Sequence, residues 1–216
     1  MEAQIKTALS EPNLLVLWGA LVVLSVGLVG HDLRRHNRRI AGLMKWVWVL
    51  TTLYSGPLGL LVYRYSGRRQ IRRDSLWRRG FRSVAHCYSG CGAGEVVGVF
   101  IAAGLLSLET VWVTVITFAL AYLFGYAMTV GPLLQQGVEL RQAVRDALYS
   151  ETASITVMEI SALALNNWLS SGTHLAHVLF WTSLVVSLSA GFIAAYPVNL
   201  LLIRFGVKQG MASPKA

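Results

Sequence analysis

Two short segments of this sequence concentrate the side chains able to do chemistry. His86-Cys87-Tyr-Ser-Gly-Cys91-Gly-Ala-Gly-Glu95 carries an imidazole, two thiols and a carboxyl group. Glu151-Thr-Ala-Ser-Ile-Thr-Val-Met158-Glu159 carries two carboxyls and a thioether. Thiolate and thioether donors suit Cu(I), whereas carboxylate and imidazole donors suit Zn, Mn or Fe(II). Together they point to a transition-metal ion, with copper the first candidate and the metal's identity open. Each segment also has a plain structural account: Cys and Met as core packing, and the carboxyls as an interhelical hydrogen bond. Asn or Ser would serve that structural purpose at lower cost in hydrocarbon, which favours function for Glu95 and Glu159.

Both segments open apolar runs, so helical spacing decides what meets. Cys87, Cys91 and Glu95 recur at i, i+4 and i+8 and stack on one face. Glu151, Ile155, Met158, Glu159, Ala162 and Asn166 form one stripe of a second helix. If both helices enter the bilayer from the same side, a rise of 1.5 Å per residue puts Glu95 and Glu159 each about 13 Å deep. Equal depth near the midplane predicts that the two carboxyls face one another. Gly90, Gly92, Gly94 and Gly98 let neighbouring backbones come close. Asn166, Asn199, His174 and His177 are secondary candidates along a transport path. The ordinary reading of His174 and His177 is solvated histidine at a span end.

The elements that hold these groups are readable from composition. Of 216 residues, 55% are hydrophobic and only 13% charged, about half the charge of a soluble domain. The expected fold is all-α, a polytopic transmembrane bundle in one membrane domain. Six runs are candidates for spans: Leu14–Gly30, Leu43–Tyr63, Cys87–Leu106, Val111–Leu134, Ile155–Leu169 with its polar lead-in, and Leu175–Ile203. The organisation expected is two spans and a basic loop over 1–85, a helix pair over 86–134, an interfacial helix over 135–149, and a second pair over 150–211. Glu95 precedes Pro132 at nearly the spacing by which Glu159 precedes Pro197, so the two pairs read as a faint repeat. The segment at 135–149 reads equally well as an extension of the next span.

Lys and Arg counts orient the chain. With six spans and both termini in the cytoplasm, 14 basic residues lie inside and 5 outside. A re-entrant hairpin turning at Ser55-Gly56-Pro57 instead gives 18 inside and 1 outside, with the N-terminus outside. Six spans are favoured, because re-entrant backbone needs protein or water to cover it. Either way the last four spans keep one orientation, and the C-terminus lies in the cytoplasm, as expected for an inner-membrane protein. The first run lacks a basic leader and a cleavage site and reads as a retained helix.

The net charge of +9 invites a nucleic-acid reading, but the arginines cluster in two loops flanking Leu43–Tyr63. Such clusters set topology and touch lipid, so nucleic acid is not an expected partner. The expected partners are the bilayer, a metal ion, and anionic lipid head groups at the Arg64–Arg82 loop. Homo-oligomerisation is left open. Two cysteines four apart make no disulfide framework. No nucleotide motif, nucleophile elbow or catalytic triad spacing is present, which argues against an ATP-driven pump acting alone, and a transporter is favoured over an enzyme.

The pairing of His-Cys-x-x-Gly-Cys-x-x-Gly-Glu (86–95) with the Glu151–Glu159 segment resembles the DUF4396 family of bacterial and archaeal membrane proteins. So do Trp48-Val-Leu-Thr-Thr-Leu-Tyr-Ser-Gly-Pro-Leu-Gly-Leu and the closing stretch from Tyr196 to Met211. The resemblance implies a membrane bundle with an acidic residue at position 95, and supplies no activity. Its loose association with copper-handling genes points the same way as the thiols. The leading expectation is a transporter or channel for a transition-metal ion, with His86, Cys87, Cys91, Glu95, Glu151, Met158 and Glu159 as ligands. Two alternatives stand beside it. One is a membrane thiol–disulfide oxidoreductase using Cys87 and Cys91; the other is a proton-coupled carrier of a small solute using Glu95 and Glu159.

Overall fold

Helix boundaries follow local chemistry in the computed structural model, which describes residues 2–170, 173 and 175–209. α1 covers Glu2–Leu9, and α2 covers Pro12–Arg35, opening on a proline whose missing N–H costs nothing in the first turn. α3 is Gly42–Ser55 and α4 is Pro57–Val62, continued by a π-helical turn at Tyr63–Gly67. α5 runs over Leu76–Val99 behind the cap Ser75, whose hydroxyl accepts from the Arg78 amide. A second π-helical segment, Phe100–Leu105, extends it. α6 is Thr110–Gln135, α7 is Leu140–Ser170 and α8 is Val178–Arg204. The described residues are all-helical, without a strand.

Four of these helices are long and apolar enough to cross a membrane: α2, α5 with its π extension, α6 and α8. α7 has the length, 31 residues, but its first half is polar. The segment at 135–149 does not form a separate interfacial helix, because from Leu140 onward it is the leading end of α7. α2 and α6 turn Val16, Leu17, Val23, Val111, Trp112 and Leu123 outward, an apolar surface suited to lipid rather than water.

The expectation of a span over Leu43–Tyr63 is corrected. Gly56 has φ +53°, and Pro57 after it has no N–H to continue a ladder, so α3 stops and α4 folds back along it. A Cβ on Gly59 would stand 2.7 Å from the Cα of Thr52, and the rings of Trp48 and Tyr63 meet edge to face at 5.5 Å. The turn is covered by Trp18 and Val22 of α2, each 3.1 Å from where a Cβ of Gly56 would lie. That cover is the condition on which re-entrant backbone is tolerated.

The hairpin brings both basic loops to one end. Arg68 bridges to Asp32 at 3.0 Å, and Asn37 accepts from the Arg69 amide at 2.9 Å. α1 lies at the other end, where Thr182 near the start of α8 donates to the Leu9 carbonyl. The second loop is pinned by Arg82, a buried guanidinium bonded to Asp74 at 2.6 Å and to the Ser66 carbonyl. Burial alone would raise the Asp74 carboxyl, but the hydrogen bond and charge of Arg82 outweigh it and hold the group below the ordinary aspartate value. A depressed carboxyl stabilises the fold above that value and loses its contribution as pH falls through the folded-state value. Thermal unfolding of Asp74→Asn should therefore lie below wild type at neutral pH and converge with it on acidification. A gap that persists in strong acid would exclude the pair as its cause.

The core is four helices. α5 packs on α6 and α8, α7 packs on the same two, and α5 meets α7 across the diagonal. The α5–α6 contact depends on bare backbone: a Cβ on Gly94 would stand 2.4 Å from the Leu120 carbonyl and 2.6 Å from the Ala121 Cα. Backbone cannot yield as a side chain does. Gly94→Ala should cost about 1–3 kcal/mol or more, read as a lowered unfolding temperature in detergent. Gly131→Ala on the open side of α6, with nothing within 4 Å, is the matched control. Equal losses from the two would contradict the close approach.

Candidate intramembrane site

The diagonal crossing of α5 and α7 places Glu95 and Glu159 together. Both are buried, and their carboxyls are close enough to interact electrostatically. Neither oxygen of Glu159, nor Oε1 of Glu95, finds a donor among the described residues. Such a pair is satisfied by one shared proton or by a cation between the oxygens. Cys91 stands beside Glu159, and its Sγ lies 3.9 Å from Sγ of Cys87, one turn nearer the basic end.

On one side of the pair a cavity of about 630 Å³ reaches toward the Ser107–Thr110 turn, with Glu95 on its wall. Thr114, Thr117, Asn166, Asn167 and Ser170 also line it. The π-helical segment begins one turn beyond Glu95 and contributes Ala103 to the same wall. π-Helical segments recur at functional sites.

On the other side a file of polar groups runs to the basic end. Ser154 lies 3.9 Å from the Cys87 sulfur and accepts from Asn199 Nδ2 at 2.5 Å. Asn199 Oδ1 accepts from Ser83 at 2.9 Å and from Lys208 Nζ at 3.1 Å. Lys208 also pairs with Glu151 at 2.6 Å, both side chains buried, and Thr129 donates to the other Glu151 oxygen. His86 lies close to this ion pair, and its Nδ1 has no partner among the described residues.

A family model described as a domain of unknown function, DUF4396, matches residues 76–208. This stretch contains all four core helices, both glutamates, both thiols and Lys208. This chain belongs to the DUF4396 family. No curated protein and no solved structure matches it. The match leaves out α2 and the α3–α4 hairpin, including the Trp48–Leu60 segment. In this DUF4396 chain, then, the family stretch carries the buried chemistry and the hairpin packs against it.

Of the residues that sequence spacing singled out, the fold brings together Cys87, Cys91, Glu95 and Glu159. Asn166 lines the cavity and Asn199 joins the polar file. Three others go elsewhere. Glu151 is held by Lys208 and Thr129, His86 lies near that pair, and Met158 turns to α8, where its Cγ lies 3.2 Å from the Cβ position of Gly191. His177 is exposed just before α8, and His174 lies outside the described residues. Among the described residues, no three His, Cys, Asp or Glu side chains are already gathered in a metal-holding arrangement.

Sequence reasoning missed Lys208, Ser154, Ser83 and Thr117. In the sequence Lys208 is one of the basic residues that set topology, although Leu200-Leu-Leu-Ile-Arg-Phe-Gly-Val-Lys208 puts it one turn past the end of an apolar helix. A lysine there, with an intramembrane carboxyl unaccounted for elsewhere, was the available signal.

Proposed function

We propose that this DUF4396 protein is an inner-membrane carrier for a cation, exchanging protons for substrate at the Glu95–Glu159 pair. The observation that carries this reading is the pair itself: two neighbouring buried carboxyls with oxygens that no donor among the described residues satisfies. A cavity on one side and a polar file closed by an ion pair on the other are what an occluded carrier requires. Substrate would enter the cavity, displace the shared proton and leave past Cys91, Cys87 and Asn199 when the Lys208–Glu151 pair opens.

With both basic loops at one end, 18 Lys and Arg lie on that side and 1 on the other, so the basic end is cytoplasmic and the cavity opens outward. A transition-metal ion is the substrate class that matches two carboxyls beside a thiol, and the softness of Cys91 and Cys87 keeps copper first.

The proton-coupled solute carrier shares the glutamates and differs at the thiols. Proteoliposomes carrying an internal pH dye, offered Cu(I), Zn(II), Mn(II) or Fe(II), test the reading. Metal uptake matched by proton counterflow is expected, and Cys91→Ser should weaken Cu(I) most. No cation flux above protein-free vesicles would overturn the carrier. Flux of a cation indifferent to Cys91→Ser would remove the copper assignment.

A further inference from the structure

The two basic loops are not equivalent once folded. In the second loop two arginines are ion-paired within the protein, Arg68 with Asp32 and Arg82 with Asp74, and two reach backbone carbonyls, Arg78 those of Tyr65 and Arg73 and Arg79 that of Gln209. In the first loop Arg34, Arg35, Arg38, Arg39 and Lys45 form no ion pair among the described residues; Arg38 and Lys45 donate only to the loop carbonyls of Arg34 and Arg38, which leaves their charge without a counter-ion. Beneath them a groove of about 580 Å³ lies between α2 and α3. Leu33, Trp46 and Val49 give it an apolar wall, and Arg34, Arg38 and Lys45 give it a cationic head. Trp46 is two-thirds exposed, a placement typical of tryptophan at the head-group level.

A second, smaller hollow of about 310 Å³ lies across Arg38, lined by Arg35, His36, Arg38, Arg39 and Arg69. The loop is held in place beneath both: buried Asn37 donates to Asp32 and accepts from the Arg69 amide. The site is therefore built rather than a chance spread of charge.

We propose that the α2–α3 groove binds an anionic phospholipid, its acyl chain along Leu33, Trp46 and Val49 and its phosphate at Arg34, Arg38 and Lys45. The hollow across Arg38 accepts a second phosphate, so a diphosphatidyl lipid is preferred to a monophosphate one. An acyl groove with a cationic head is complementary to that class, whereas a free phosphate would use the cationic head alone. The inference is independent of what the glutamate pair carries.

Native mass spectrometry and thermal unfolding of the full chain in detergent test it, with diphosphatidylglycerol, phosphatidylglycerol, phosphatidylcholine and inorganic phosphate added in turn. The expected order of bound adducts and stabilisation is diphosphatidylglycerol, then phosphatidylglycerol, with little from the other two. The Arg34→Gln/Arg38→Gln/Lys45→Gln variant should bind the anionic lipids at least tenfold more weakly. Arg34→Gln alone, at an exposed position, gives a smaller loss in a protein certain to remain assembled. Lys6→Gln, on α1 at the opposite end of the bundle, should change neither. Equal binding of phosphatidylcholine, an equal shift with inorganic phosphate, or undiminished binding by the loop variants would each overturn the proposal.

Discussion

Glu159→Gln should bring cation flux in proteoliposomes down to the level of protein-free vesicles while leaving the bundle assembled. The substitution is isosteric, and the new amide can donate to Glu95 across the α5–α7 crossing, so the fold loses little. What it removes is the group able to exchange a proton for a cation in a setting where no donor among the described residues satisfies its oxygens. Glu95→Gln should behave alike, because the pair acts as a unit. Glu95→Asp keeps the carboxyl but withdraws it by one methylene, and should retain partial flux. Size-exclusion profile and unfolding temperature, measured beside transport, separate chemistry from assembly. A Glu159→Gln protein that still carries substrate at half the wild-type rate would end the proposal that the pair is the site.

The next largest effect is expected at the basic end. Lys208→Met strands the Glu151 carboxylate in a buried position, a change of about 3–5 kcal/mol for pairs of this kind. It also unties Asn199, to which Lys208 donates. Unfolding temperature should fall steeply, and Cys87 should become reactive toward an impermeant maleimide applied from the cytoplasmic side. The double variant Glu151→Leu/Lys208→Met removes both charges together, so it should recover much of the lost stability while leaving the inner end open. Unchanged stability together with protected thiols in Lys208→Met would show that the pair neither braces nor closes the file.

Much of the site was legible before any fold was known. Helical periodicity and a fixed rise per residue depend on local geometry alone, and they placed Glu95 and Glu159 at one depth and Cys87, Cys91 and Glu95 on one face. Asn166 and Asn199 were found by the same arithmetic. Periodicity gives the face of a helix but not the neighbour that face meets. Met158 shares its stripe with Glu159 yet lies against Gly191, because α8 packs close on that side of α7. Glu151 was assigned to the metal group, and it is the one carboxyl of the stripe that a distant cation reaches.

The Leu43–Tyr63 segment shows the same division more sharply. Hydropathy alone made it a span, since one apolar run of that length and two apolar helices folded together have the same composition. The turn at Gly56-Pro57 is local chemistry and was visible as an option. Whether it is used depends on Trp18 and Val22 covering its backbone, a contact between residues more than thirty positions apart.

By itself the sequence determined the all-α bundle and the apolar runs from which its long helices form, six in its reading where four helices have the length and hydropathy to cross a membrane, because hydrophobic period and helical rise are properties of neighbouring residues. Only the tertiary structure decided that the chain doubles back at Gly56, that both basic loops share one end, and that Lys208 claims Glu151. Those outcomes depend on which buried polar and charged groups find partners, and partners far apart in the chain meet only once the helices have packed.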